Sequence, residues 1–107
     1  MKYFDLETNY STYYDCYFQI AKYAANEETA IRIANGSAAI ATITVCIPDV
    51  GLSKDMTILD TNNCPWVLDF MEKNGFASDT ELRAESGYCK YPIVLLNMER
   101  IKEYGCK

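Results

Sequence analysis

The apolar positions of residues 10–23 fit two periods, one of a strand and one of a helix. Alternation puts Tyr14, Cys16, Phe18 and Ile20 on one side of a strand, whereas helical spacing aligns Tyr14, Tyr17, Phe18 and Ala21. Enrichment in aromatic and β-branched residues favours the strand. Residues 29–34 and 37–47, separated by Asn35-Gly36, read as a β-hairpin. A plain two-residue turn sets position 33 against 38 and leaves Ile31 and Ile33 opposite the face of Ile43 and Val45. A bulged turn with Gly36 at positive φ shifts the register by one. It gathers Ile31, Ile33, Ala39, Ala41, Ile43, Val45 and Ile47 on a single buried face, so the bulged turn is predicted. Pro48 ends that strand, and residues 48–54 read as a surface loop.

The pattern then changes period. Residues 60–63 (Asp-Thr-Asn-Asn) supply capping side chains ahead of a helix over 64–74, and Pro65 suits a first turn because it has no N–H to satisfy. Trp66, Val67, Phe70 and Met71 form the inward stripe, with Asp69, Glu72 and Lys73 towards water. Asn74-Gly75-Phe76 stops the helix, glycine taking the left-handed conformation and Phe76 folding back. Residues 77–86 read as a charged loop. Residues 91–97 read as a buried strand whose start Pro92 places at a sheet edge. A short helix over 98–104 follows, and 105–107 should be frayed, with Cys106 the most exposed thiol. The elements predict one compact α+β domain over 1–107: an antiparallel sheet of about four strands, one main helix packed on one face, and a short C-terminal helix.

Charge narrows the function. Fifteen acids against ten bases give a net charge of −5, which opposes direct nucleic-acid binding and adhesion to anionic membranes. An acidic domain can instead offer carboxylates to a basic partner surface. Glu27, Glu28, Asp69, Glu72, Asp79, Glu81 and Glu85 are the candidates for such a surface, against the plainer role of keeping the chain soluble. No apolar run approaches a membrane span and no cleavable signal pattern is seen, so a cytoplasmic protein is expected.

The chain contains no histidine and five cysteines, at 16, 46, 64, 89 and 106. A Cys–His mechanism is therefore excluded. The odd count and wide spacing oppose a disulfide framework. Cys64 falls at the predicted helix start, where the macrodipole favours a thiolate, yet a small buried side chain fits it better. Cys64 with Cys89 is the one pair to weigh for a thiol- or metal-dependent role. Neither a phosphate loop nor a nucleotide fingerprint is present, so neither enzyme nor cofactor is expected. The turn Ser86-Gly87-Tyr88-Cys89-Lys90-Tyr91-Pro92 can display Tyr88 and Tyr91 to a partner or deliver the chain into its last strand.

Three blocks carry a resemblance: Ala41-Thr42-Ile43-Thr44-Val45, then Asp60-Thr61-Asn62-Asn63-Cys64-Pro65-Trp66, then the Ser86 to Pro92 turn. Together they resemble an uncharacterised family of small domains encoded on conjugative elements and prophages of gut bacteria. The resemblance spans about Tyr14 to Leu96, with Asn-Asn-Cys-Pro-Trp its most specific part, and it carries over no catalytic or ligand residue. It implies a mobile-element context, in which small acidic accessory proteins often blunt host defence. The expected role is a non-enzymatic inhibitor that binds a host defence nuclease or other protein, of anti-CRISPR or antirestriction type, through acidic mimicry of nucleic acid. The alternatives are a structural or regulatory subunit of the mobile element, self-associating through an exposed strand edge, and the thiol- or metal-dependent protein.

Overall fold

Alternation in the first long segment does produce a strand: Cys16 and Phe18 are fully buried on one side, while Tyr17 and Gln19 on the other are half-buried. In the computed structural model, which describes residues 1–24, 27–47 and 50–106, this strand is the axis of a five-stranded sheet. β1 (Phe4–Glu7), β2 (Thr12–Lys22), β3 (Thr29–Asn35) and β4 (Ala38–Thr42) lie side by side in chain order, each pair antiparallel. The two-residue β8 (Gly105–Cys106) runs parallel to β2 beyond the end of β1. A second sheet holds β5 (Met56–Ile58), β7 (Cys89–Leu96) and β6 (Ala77–Ser86), in that order and antiparallel. Among the described residues the helices are α1 (Val67–Lys73) and α2 (Met98–Glu103), seven and six residues long. Neither is long and apolar enough to cross a membrane.

The expected single sheet beneath one main helix is thus corrected to a mostly β chain with two sheets and two short helices. The largest cause is the segment 77–86. Its charges suggested a loop, but it is a ten-residue strand. An edge strand can carry charges on its solvent side and gains protection from unwanted pairing by doing so. Only Ala77 and Ala84 of β6 are buried.

The β3–β4 hairpin has the foreseen physics in a different place. Gly36 does take positive φ (57°). Asn35 pairs with Ala38 and Ala34 with Ala39, and the pairing then jumps to Ile33 with Ala41. The extra residue is Ile40, in the strand rather than the turn. Past this bulge Ile31, Ile33, Ala41 and Ile43 line the main core, whereas Ala39 is exposed. Val45 and Ile47 belong to a second core with Ile58, Tyr91 and Ile93. They separate because the chain changes sheets after Ile43. Ile43 N–H still donates to the Ile31 carbonyl (3.0 Å), but its own carbonyl accepts from Asp60 N–H (2.8 Å), and Val45 N–H donates to Ile58 (3.0 Å). Pro48, expected to end this strand, lies outside the described residues. Residues 50–53 carry no regular structure.

α1 begins three residues later than expected. The Asp60 carboxylate is taken by a preceding turn, accepting from Asn63 N–H (3.2 Å) and Asn63 Nδ2 (2.8 Å), while the Asp60 carbonyl accepts from Cys64 N–H (2.9 Å). Trp66 therefore sits at the N-cap without a side-chain cap bond. The stop is as read. Gly75 (φ 73°) donates to Glu72 at 3.1 Å and Phe76 N–H donates to Met71 at 2.8 Å, the paired bonds of a Schellman motif. Val67 and Met71 are fully buried, and Phe76 fits its ring edge-on against Phe18 at 4.9 Å.

Pro92 does not mark a sheet edge, since β7 is the central strand. Leu59 N–H donates to the Pro92 carbonyl (3.1 Å), so the proline nitrogen faces the point where the β5 ladder ends. Leu59's carbonyl accepts from Thr61 N–H instead (3.1 Å), and no donor is missed. α2 forms as expected, Asn97 capping it by accepting from Arg100 N–H at 3.1 Å. The tail expected to fray pairs with β2 through Gly105 and Cys106. Lys107 and the Cys106 side chain, the thiol expected to be exposed, lie outside the described residues.

Candidate functional site

Phe4-Asp5-Leu6-Glu7 alternates apolar with acidic residues, and the strand it forms turns Leu6 fully into the core while Asp5 and Glu7 stay exposed. β1 is the end strand of the first sheet, and no other strand pairs with its outer edge among the described residues. Thr8 closes the turn into β2: its Oγ1 accepts from the N–H groups of Tyr10 (3.2 Å) and Ser11 (3.1 Å) and donates to the Ser11 carbonyl (3.0 Å). Asp15, at φ 54° in a bulge of β2, donates its N–H to the Asp5 carboxylate at 3.3 Å. The first hairpin is thus held from both ends.

α1 packs against β1 through Phe4 and Phe70, ring centres 5.3 Å apart. Beside that contact a cleft of about 550 Å³ opens. Asp5, Glu7 and Asp69 bring carboxylates to it, Lys73 brings one ammonium, and Trp66 and Phe70 supply aromatic surface. Those two rings meet edge to face at 6.1 Å and are both half-buried. The site joins an unpaired strand edge, an aromatic wall and excess negative charge. That combination suits a basic, extended segment of a partner.

Of the acids proposed from sequence, only Asp69 lines this cleft. Glu72, Asp79 and Glu81 gather elsewhere, around Arg83. Asp79 receives Arg83 Nη1 at 2.9 Å and Nη2 at 3.0 Å and accepts from Glu81 N–H at 2.8 Å. The guanidinium, then the amide, hold its carboxyl below the usual range. Glu72 accepts from Asp79 N–H at 3.4 Å, and Glu85 pairs with Lys90 at 3.6 Å. Glu27 and Glu28 stand at the β2–β3 connection, where Tyr23 N–H donates to the Glu28 carbonyl at 2.9 Å. The seven acids therefore do not form one stripe along a single element.

The tyrosine pair also divides. Tyr88 sits fully exposed at the tip of the β6–β7 hairpin beside Gly87 (φ 61°), while Tyr91 is only 9% exposed and belongs to the second core. Cys64 and Cys89 belong to different cores. Burial, then the Asp60 carboxylate, push the Cys64 thiol up, the reverse of a helix-start thiolate, and its Sγ donates to the Thr42 carbonyl at 3.8 Å. Among the described residues no three histidine, cysteine or carboxylate groups gather as a metal site. Asp5 and Glu7 are absent from the sequence-based candidates. Their signal was the short alternation at 4–7, too brief to announce a strand.

The chain belongs to the family described as a domain of unknown function, DUF4313, which matches residues 17–107. This agrees with an uncharacterised small-domain family. The match begins inside β2, so Trp66, Asp69, Phe70 and Lys73 fall within it while Asp5 and Glu7 precede it. Neither a curated protein nor a solved structure matches the chain.

Proposed function

We propose that this chain is a non-enzymatic binding protein that seats a basic segment of another protein in the cleft between β1 and α1. One observation carries the reading: three carboxylates and two aromatic rings flank a strand edge that no other strand occupies among the described residues. A partner strand can add to that edge through its backbone, place Lys or Arg side chains against Asp5, Glu7 and Asp69, and cover Trp66 and Phe70. The net charge of −5 speeds the approach of such a partner.

The partner class we favour is a host defence nuclease complex, whose nucleic-acid channel is basic, with this chain acting in the cytoplasm as an inhibitor carried by a mobile element of gut bacteria. The sequence resemblance and the charge support this assignment. The test is capture from a host lysate at two salt concentrations with the wild-type chain and the Asp69→Lys variant. Nuclease subunits held by the wild type, released at high salt and lost with Asp69→Lys, support it. Capture unchanged by the substitution overturns the cleft as the site.

The unpaired edge of β1 also favours a second reading, in which two copies pair edge to edge as an accessory subunit. Sedimentation velocity decides it, because a monomer at every concentration tested removes that reading.

A further inference from the structure

A second cavity has the opposite charge. It measures about 450 Å³ and lies between the end of β2, residues 54–55 and the start of α2. Lys22, Lys54 and Lys102 line it with Asp55, and Ile20, Ala21 and Met98 give it an apolar surface. Most other bases are engaged. Lys2 pairs with Glu103 (3.3 Å), Arg83 with Asp79 (2.9 Å) and Lys90 with Glu85 (3.6 Å). Arg32 donates to Gln19 (2.8 Å) and Arg100 to the Asn74 carbonyl (2.6 Å). Among the described residues Lys22, Lys54 and Lys102 have neither an ion pair nor a hydrogen bond through their side chains.

Among the described residues Asp55 is the one carboxylate in this lining, while Glu27 and Glu28 share a neighbouring cavity with Lys22 and Lys54. Three ammonium-bearing side chains line one apolar-backed cavity, and a net positive lining favours the entry of an anion. The cavity also falls within the size range of small-molecule sites.

We propose that this cavity binds a small organic anion, with its carboxylate or phosphate head among the three ammonium groups and an apolar body against Ile20, Ala21 and Met98. Met98 suits such a wall because its thioether side chain adapts to irregular shapes. Asp55 reduces the formal charge of the lining to two positive and selects against a bulky polyanion. Its carboxylate can accept a hydrogen bond from a hydroxyl or amide near the ligand's head. The site shares no residue with the acidic cleft, so failure of either leaves the other standing.

Amide chemical-shift titration of the full chain with phenyl phosphate, hexanoate and neutral benzyl alcohol, each to about 10 mM, tests this. Saturable shifts centred on Ile20, Lys22, Lys54, Asp55 and Met98 are expected with at least one anion. Phenyl phosphate alone would assign a phosphate head, and hexanoate alone a carboxylate. The Lys22→Gln/Lys102→Gln double variant should retain the wild-type spectrum elsewhere and bind the anion about tenfold or more weakly. Absence of saturation with both anions overturns the proposal. So does equal response to benzyl alcohol, or undiminished affinity in the folded double variant.

Discussion

The hydroxyls of Tyr23 and Thr44 share a hydrogen bond of 2.8 Å where the two sheets meet. The same Thr44 oxygen accepts from Ile31 N–H at 3.1 Å, and the Thr44 backbone bridges to Leu59. One side chain, 3% exposed, thus ties the end of β2, strand β3 and the approach to the second sheet. Thr44→Val keeps the shape but strands a buried N–H, so it should lose about 1–3 kcal/mol. Thr44→Ser keeps the oxygen and should lose clearly less. Urea midpoints compare them, and equal losses would mean that the methyl group matters as much as the hydroxyl.

Glu81 stands at φ 68° in the wide bulge of β6, between Asp79 and Arg83. A left-handed conformation is strained for most side chains, while asparagine and glycine accept it more readily. Glu81→Asn should be neutral or mildly stabilising, and β-branched Glu81→Val should lose about 1–2 kcal/mol. Equal melting temperatures for the two variants would remove backbone strain from the account of this bulge.

Asp79 supplies an acid-sensitive contact through its two-pronged pairing with Arg83. Because the folded chain lowers its pKa, its contribution is present above the ordinary value of 3.8 and lost as pH falls through the folded value. The stability difference between wild type and Asp79→Asn should therefore shrink on acidification between about pH 6 and 2. A difference constant over that range would show that the ionised carboxylate is not what holds the bulge.

What was legible in the sequence was local. Alternation gave β2, Gly36 gave the turn between β3 and β4, and Asn74-Gly75-Phe76 gave the helix stop, because near neighbours decide each of these. The sheet division was not legible. It depends on Ile40 bulging and on residues 43–45 exchanging β3 for the segment after β5, both set by distant partners. Segment 77–86 was misread because its charges satisfy an edge strand as well as a loop. The site was legible at Asp69 alone. Asp5 and Glu7 join it only when β1 folds beside α1, and no local pattern encodes that approach.

The buried thiols close the set of tests. Cys16 and Cys64 are 0% and 4% exposed, whereas Cys89 is half-buried. Burial foremost, and nearby carboxylates after it, raise both buried thiols above their ordinary value of 9.0. Raised pKa values mean that the folded chain holds these protons more tightly. The associated stability is whole below 9.0 and declines as pH rises through the folded values. Thermal melting should accordingly fall on the alkaline side, and the fall should be shallower in Cys64→Ala, which has no thiol to ionise at that position. Native alkylation mapped by peptide mass spectrometry should modify Cys89 well before Cys16 or Cys64. If Cys64 reacted as fast as Cys89 in the folded chain, the thiol would be accessible and activated, and its place as an inert core residue would have to be given up.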